Sequence, residues 1–322
     1  MGKTTIINKK SVTWTIKLSI FGFFVWLITQ FFDLEQIVQY SATLIKRPWL
    51  PVIMTIAYTA AFFARAKAWQ LFLRSNESLS KFLTAILYSL VVNHLSPVKA
   101  GDLIRVGFLV QKTNCKWADV LYSVVIMRMF DLLLLASFVV IGAVYYQFAL
   151  SFKVFIVILV IISTLILGSF SFKKTRRIIL HYLRVLMETM SSWKGVRIVL
   201  LITLSWILEA VIVFSIANVV GSGKELSFTE AVWVNSITIA GQTFQFSPGG
   251  IGTYESFMSY SLSVLRYSLK DGLTIAVVTH AYKFVYSFFV GMILLVTTPI
   301  TFHQIKEWKK RKEQMNHDET SF

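Results

Sequence analysis

The chain has 322 residues, of which 56% are hydrophobic and 15% aromatic, a composition that excludes an ordinary soluble domain of this size. Its net charge of +16, from 32 Lys and Arg against 16 Asp and Glu, would indicate nucleic-acid binding in a soluble protein. Here the basic residues cluster in alternate loops between apolar runs, as the positive-inside rule describes for membrane proteins. We therefore expect an all-α polytopic integral membrane protein and no nucleic-acid partner.

Runs of about twenty apolar residues, the length that a helix needs to cross a hydrocarbon core of about 30 Å, recur along the chain. They predict six full transmembrane helices, at residues 15–32, 49–64, 118–148, 152–172, 197–220 and 272–300. The first run is long for a signal peptide and lacks a convincing cleavage site, so we interpret it as a retained helix.

Basic residues precede the first predicted helix and follow the second, fourth and last, and the second cluster contains Arg65 and Lys67. This distribution places both termini in the cytoplasm. The sequence thus predicts one multi-pass domain of the cell membrane at residues 1–302 and a charged cytoplasmic tail at 303–322.

Two further apolar segments, residues 82–111 and 229–267, are interrupted and then resume. The first breaks at Ser96-Pro97 and the second at Ser247-Pro248-Gly249-Gly250. Proline prevents the helical hydrogen bond and glycine permits a sharp turn, so each segment predicts a re-entrant helical hairpin. Two predicted crossings precede the first hairpin and three separate it from the second, so the hairpins would enter from opposite faces as an inverted repeat. The alternative is a pair of loops or kinks at the membrane interface.

Residues 173–196 carry apolar side chains at helical spacing with basic residues on the other side. This pattern is typical of an amphipathic helix on the anionic cytoplasmic leaflet. A site for a calmodulin-like partner is the weaker interpretation.

The two predicted hairpin tips carry polar and charged residues that would line a cavity, and each restarting helix would present N–H groups there. At the first tip, Lys99 and Arg105 are cationic, and Asp102 lies one helical turn before Arg105. Asp102 and Arg105 would form a structural salt bridge, or Arg105 would hold a lipid phosphate with Asp102 orienting it.

The second tip contains Glu255 in the first turn after Gly252. This glutamate would cap the helix, or pair with a cation across the cavity. Gln242 and Gln245 precede the break and would hydrogen-bond a headgroup or each other.

Ionisable residues also lie deep in the predicted crossings, where they usually face the protein interior or an aqueous path. Arg128 and Asp131 are three residues apart and are expected to neutralise each other. Glu209 has no partner in its own helix, so Lys283 or Arg128 is its expected counter-charge. Together with His280, these residues predict a polar central cavity.

The sequence predicts no metal site or cofactor, and we do not expect an enzyme. The five histidines are scattered, Cys115 is the single cysteine, and the nucleotide-loop and hydrolase motifs are missing.

The two tips, "SPVKAGDLIR" at Ser96–Arg105 and "SPGGIGTYE" at Ser247–Glu255, resemble two signatures of the lysylphosphatidylglycerol synthase transmembrane region family. The signatures are Pro-x-x-x-Gly-Glu/Asp-x-x-Arg and Pro-Gly-Gly-x-Gly-x-x-Glu. The resemblance implies a flippase-like membrane domain that translocates lipid, or supports export of a lipid-linked sugar or aminoacyl-lipid, in a bacterial or archaeal plasma membrane. Bifunctional members carry a soluble aminoacyl transferase domain after the membrane region, whereas this chain ends about twenty residues after its last predicted helix. We therefore do not expect it to make lysyl-lipid itself.

Our leading hypothesis is a flippase or transporter for a phospholipid or a polyprenyl-phosphate-linked lipid. The candidate phosphate contacts are Lys99, Arg105, Arg128 and Lys283; the candidate counter-charges or proton carriers are Asp102, Glu209 and Glu255. The remaining candidate site residues form the second tip: Gln245, Ser247, Pro248, Gly249, Gly250 and Gly252.

Two other classes stay open at this point. One is a membrane-embedded enzyme acting on lipid-linked substrates with Glu255, Asp102 or His94 as acid or base. The other is a non-catalytic partner of a glycosyltransferase or lipid-modifying complex. A homo-oligomer is also left open.

Overall fold

Every regular element in the described part of the chain is helical, as predicted. The computed structural model describes residues 42–43, 46–96, 100–146, 173–220, 224–244, 247–299, 304 and 308. Its longer helices are α1 (Trp49–Phe72), α2 (Leu79–Leu95), α3 (Gly101–Lys112), α4 (Trp117–Tyr145), α5 (Lys173–Met190), α6 (Trp193–Val220), α7 (Phe228–Gly241), α8 (Thr253–Val264) and α9 (Leu269–Thr297). Two short 3-10 turns, Gln242–Phe244 and Pro248–Gly250, lie between α7 and α8.

Four of these helices, α1, α4, α6 and α9, are long and apolar enough to cross a membrane. They correspond to the second, third, fifth and sixth predicted crossings. The other two predicted crossings, 15–32 and 152–172, lie outside the described residues, as does the tail at 303–322 except for residues 304 and 308. The polytopic membrane class is confirmed, and the number of six crossings stays a prediction.

Helix α1 is longer than the sequence indicated. The predicted crossing ended at residue 64, before Arg65, which we assigned with Lys67 to a cytoplasmic loop. Both residues instead lie inside α1, which continues to Phe72. The predicted helix end was wrong because we ended the crossing at the first charged residue. In the structure Arg65 forms an ion pair with Glu209 of α6, so the helix continues past it.

Helices α1 and α6 form the most extensive helix contact in the described residues and run in opposite directions. Arg65 reaches Ser205 and Glu209, whereas Leu71, farther along α1, lines the same small cavity as Ile198, which comes earlier in α6. Small side chains permit close approach of membrane helices. Helix α1 has a buried stripe of them at Ala57, Ala61, Ala64 and Ala68.

The two interrupted segments form the helix pairs α2–α3 and α7–α8, and the members of each pair pack on each other. The pairs begin at opposite ends of the antiparallel α1–α6 pair. Before α2, Gln70 near the end of α1 donates to the Glu77 carbonyl. Before α7, Asn218 near the end of α6 exchanges two hydrogen bonds with the Leu226 backbone, and Ser227 caps α7.

The end of α2, just before the first break, meets the second break beside the middle of α9. The His94 ring at the end of α2 packs on Phe284 of α9, with ring centroids 4.7 Å apart. A Cβ atom added to Gly249 would lie 2.2 Å from Phe284 and 3.1 Å from the His94 carbonyl oxygen. The break before α8 therefore touches both α9 and the end of α2. The description of these pairs as re-entrant hairpins stays a prediction.

The second break depends on glycine. Gly249, Gly250 and Gly252 have φ angles of 65°, 79° and 89°, which side chains disfavour. The first break needs glycine for another reason: a Cβ atom on Gly101 would lie 2.2 Å from the Ser89 carbonyl oxygen. Glycine thus permits the turn in one pair and the close return of α3 along α2 in the other.

The predicted amphipathic segment at 173–196 is helical as α5 up to Met190, and a turn at Ser191 and Ser192 then leads into α6. Leu186 of α5 is buried. Tyr182 stacks on Tyr122 near the start of α4, with centroids 5.0 Å apart. Helix α5 therefore packs on the bundle at the end where α4 and α6 begin.

Since α6 separates them, Ser191 and Glu225 should lie on opposite sides of the membrane. Both residues are exposed. With Cys115→Ser as background, Ser191→Cys and Glu225→Cys should react with an impermeant maleimide from opposite sides of sealed vesicles. Labelling of both from one side would contradict a full crossing by α6.

Candidate functional site

A cavity of about 320 Å³ lies beside the second break and the end of α2, and residues of α1, α4, α6 and α9 line it. Its charged lining residues are Arg65, Asp102, Arg105, Arg128, Asp131, Glu209 and Lys283, and His94 and His280 also line it. Four cations against three carboxylates leave a formal charge of +1 with neutral histidines. The polar central cavity that the sequence predicted is present.

Glu209 of α6 is buried and forms an ion triad with two cations, Lys283, which is also buried, and Arg65, which is partly buried. Its Oε1 accepts from Lys283 Nζ of α9 at 2.8 Å, and its Oε2 accepts from Arg65 Nη2 of α1 at 2.7 Å. The side chains of Glu209 and Lys283 are each 4% exposed. The expected partner Lys283 is confirmed and the alternative Arg128 is wrong. Arg65 was missed because we had placed it in a loop.

Arg65 is also fixed on its other sides. Its Nε donates to Ser205 Oγ at 3.1 Å, and its guanidinium lies 3.9 Å from the centroid of the Trp206 ring. Arginine favours such stacking because its charge is planar and weakly hydrated. The triad therefore joins α1, α6 and α9 at fixed geometry.

Asp102 of α3 pairs with Arg128 of α4 in a two-point interaction. Arg128 Nη2 lies 2.9 Å from Asp102 Oδ1, and Nε lies 3.2 Å from Oδ2. The expected partner Asp131 is 3.9 Å from Arg128 Nη1 and accepts instead from Trp206 Nε1 at 3.2 Å. The predicted Arg128–Asp131 pair is therefore secondary, because Asp102 on the neighbouring helix offers better geometry.

Arg105, one turn after Asp102, is buried without its full set of acceptors. Its Nε lies 3.2 Å from Asp102 Oδ1, and its side chain is 10% exposed. Nε and Nη2 have no hydrogen-bond partner of suitable geometry in the described part of the chain. Buried polar groups are almost always hydrogen-bonded. Two guanidinium nitrogens of Arg105 therefore make no hydrogen bond among the described residues, although Nε forms an ion pair with Asp102.

Glu255 takes the capping role that the sequence left open, and it also contacts His280 of α9. Its Oε2 accepts the Gly252 N–H at 2.7 Å, which caps α8, and its Oε1 lies 2.6 Å from His280 Nδ1 of α9. The His280 Nε2 atom lies 3.2 Å from the Gly249 carbonyl oxygen. Gln242 Nε2 donates to the same oxygen at 3.0 Å. The second break is therefore tied to α9 and to the end of α7.

Helix starts at the breaks are less open than we expected. The Gly101 N–H that begins α3 donates to Asn93 Oδ1 at 2.9 Å, and Glu255 occupies the Gly252 N–H. These two backbone donors are thus satisfied within the protein.

Of the remaining predicted residues, Ser247, Pro248 and Gly250 take structural positions at the second break. Ser247 Oγ donates to the Ile251 carbonyl, and Pro248–Gly250 forms a 3-10 turn. Lys99 and Gln245 lie outside the described residues. No group of three or more His, Cys, Asp or Glu side chains placed to hold a metal ion occurs in the described part.

Tyr254 of α8 is a second group that sequence reasoning missed. Its ring stacks on His280 with centroids 4.2 Å apart, and Lys283 Nζ lies 5.1 Å from its centroid. Its buried hydroxyl has no hydrogen-bond partner among the described residues. An aromatic residue beside a glycine turn gave no signal in the sequence, because buried tyrosines are common in helical cores.

The fold and the site together define a polytopic membrane protein whose helices bring charged side chains to a central cavity. The family model described as "Lysylphosphatidylglycerol synthase TM region" matches residues 14–291, most of the chain, so the chain belongs to this family. The family resemblance inferred from the two tip motifs is confirmed. The family is a membrane domain often linked to lipid modification or flipping. Comparison with curated proteins and with solved structures finds no match.

The triad predicts a large loss of stability for Glu209→Gln, which leaves the buried Lys283 and the partly buried Arg65 without their counter-charge. Removing one member of a buried ion pair costs about 3–5 kcal/mol. We expect a clearly lower midpoint of thermal unfolding in detergent, followed by circular dichroism.

The matched control is Glu77→Gln. Glu77 pairs with Lys81 at 2.6 Å, but these side chains are 28% and 36% exposed, so the change should cost less than about 1 kcal/mol. Equal midpoints for the two variants would show that the triad does not stabilise the bundle.

Proposed function

We propose that this protein is a lipid flippase or transporter that moves a lipid with an anionic headgroup across the plasma membrane. The substrate class is a phospholipid or a polyprenyl-phosphate-linked lipid. The observation that carries the proposal is the buried guanidinium of Arg105, which lines the cavity. Its Nε and Nη2 make no hydrogen bond in the described residues, although Nε forms an ion pair with Asp102.

Phosphate matches those donors better than other common headgroup chemistry. Its oxygens accept charge-assisted hydrogen bonds, and the planar fork of arginine binds them in pairs. The cavity supports the match, since its lining carries a formal charge of +1 when its histidines are counted as neutral, and its volume of about 320 Å³ suits a small headgroup.

An exposed apolar surface of α4 lies beside the cavity and could contact the lipid chains. Leu132 of α4 lines the cavity and is 42% exposed, and the Arg128 side chain one turn earlier is 37% exposed. Along the same helix, Leu133, Val140 and Ile141 are exposed. A headgroup in the cavity would leave its acyl or prenyl chains beside this surface in the bilayer.

Two helix pairs that begin at opposite ends of α1–α6 and meet beside the middle of α9 support an alternating-access mechanism. In the proposal, α2–α3 and α7–α8 are re-entrant hairpins of an inverted repeat, among six crossings with both termini in the cytoplasm. Transporters of this kind place substrate where broken helices meet. Access would alternate as one hairpin tip, and then the other, moves from the cavity.

Because Asp102 pairs with Arg128, removal of Arg105 tests the phosphate site without leaving an unpaired carboxylate. Asp102 retains its two hydrogen bonds to Arg128 when Arg105 is removed. Arg105→Ala therefore does not leave a carboxylate unpaired, whereas Arg128→Ala deprives Asp102 of its main partner.

Arg105→Ala should abolish transport of an anionic lipid and leave the protein folded, and Arg105→Lys should restore little, because a point charge does not reproduce the planar fork. The assay is reconstitution into liposomes with fluorescent phosphatidylglycerol or a fluorescent polyprenyl phosphate. A fluorescent zwitterionic lipid reports unspecific leakage. Thermal unfolding in detergent serves as the folding control, in which Arg128→Ala should be less stable than Arg105→Ala.

A stable Arg105→Ala protein with full transport would reject the phosphate site. Folded wild-type protein that moves neither anionic probe would reject the transporter itself. The latter result would favour a partner or enzyme of lipid modification, which copurification with a lipid-modifying enzyme would then address.

A further inference from the structure

His280 lies where the second break meets α9, and both of its ring nitrogens face oxygen atoms. Nδ1 is 2.6 Å from Glu255 Oε1, and Nε2 is 3.2 Å from the Gly249 carbonyl oxygen. A carbonyl and an ionised carboxylate can only accept hydrogen bonds. An imidazole that bonds to both must carry a proton on each nitrogen, and the geometry therefore fits the imidazolium form.

The Gly249 carbonyl belongs to the turn of the second break, so its partners decide where this turn sits. Gln242 Nε2 from the end of α7 donates to it at 3.0 Å, and this bond stays within the α7–α8 pair. The His280 contact links the turn to α9. If Nε2 loses its proton, a nitrogen lone pair faces the carbonyl oxygen, and this attachment becomes repulsive.

The groups around His280 leave Glu255 as its counter-charge. On α9, Lys283 lies one turn away, but Lys283 donates to Glu209 of α6 at 2.8 Å. On α8, Tyr254 stacks on the ring, and on α2 the His94 ring lies 6.4 Å away. His280 is only 2% exposed, so its hydrogen bonds to Glu255 and to the Gly249 carbonyl are little weakened by water.

We infer that His280 and Glu255 form a proton-binding site that holds the turn of the second break against α9. With the proton on Nε2, His280 donates to the Gly249 carbonyl and the turn stays docked. When the proton leaves, the turn is released and Ile251, two residues later, becomes more accessible. The inference concerns the docking of the turn and does not require that the protein transports lipid. If the proposed transport occurs, this site would couple it to protons.

The test measures the rate at which a maleimide labels Ile251→Cys in detergent, in a Cys115→Ser background, over about pH 5 to pH 8, where histidine changes charge. Each rate is divided by that of the same cysteine in a His280→Phe background, so the intrinsic pH dependence of the thiol cancels. Phenylalanine keeps a ring against Tyr254 but has no donor. We expect the ratio to be about 0.1 at low pH, as the loss of one charge-assisted hydrogen bond implies, and to rise towards 1 at high pH.

His94→Phe is the matched control, since it removes the other histidine that lines the cavity. This variant should keep the pH dependence of the ratio. A ratio that stays constant with pH would overturn the inference, and loss of the dependence in His94→Phe alone would assign the proton to His94 instead.

Glu255→Gln gives an independent result should His280→Phe fail to fold. Glutamine can still accept the Gly252 N–H but removes the charge that favours imidazolium. Labelling of Ile251→Cys at about pH 6 should then rise to the rate of the wild type at high pH, after correction with a free thiol. An unchanged rate would contradict the proton site. Labelling needs no lipid movement, so the outcome is separate from that of the transport assay.

Discussion

The structure depends on one constraint: ionisable side chains in apolar helices must find counter-charges on neighbouring helices. An unpaired charge is expensive in a bilayer, so such residues turn inward and pair. Glu209 meets this demand with Arg65 and Lys283, and the resulting triad joins α1, α6 and α9. The same constraint brings Arg128 of α4 to Asp102 of α3. The pairs that stabilise the bundle also create its polar cavity.

The two breaks extend this principle from side chains to the backbone. Irregular backbone is tolerated at membrane depth only inside protein or against a water-filled cavity. Here Gly249 packs on Phe284, and its carbonyl oxygen is bonded by Gln242 and lies near His280. The first break returns against α2 through the Asn93 side chain and the bare backbone of Gly101. The chain on either side of the first break and the turn of the second therefore line the candidate site, through Asn93, His94, Asp102 and Gly249.

The sequence was sufficient for features that are local along the chain. The length of the apolar runs predicted α4, α6 and α9. The Ser-Pro pairs and the glycines predicted both breaks, and the tip motifs predicted the family. Which charged residues pair with each other could not be read from the sequence, because the partners lie far apart along the chain. Arg65 and Glu209 are 144 residues apart, and hydropathy does not show which helices place charges at the same depth. Arg65 even misled the prediction, since the sequence does not distinguish an arginine that faces the bundle interior from one in a loop. The Glu255–His280 pair was missed because it depends on how α8 returns along α9.

Whether Arg105 holds a lipid phosphate is the central question, and an experimental structure of the protein in nanodiscs of phosphatidylglycerol answers it most directly. Our account predicts a phosphate group in the cavity, with oxygens about 2.7–3.2 Å from Arg105 Nε and Nη2. It also predicts that the lipid chains lie beside α4. A cavity without phosphate, in which protein oxygens satisfy both nitrogens of Arg105, would contradict the account.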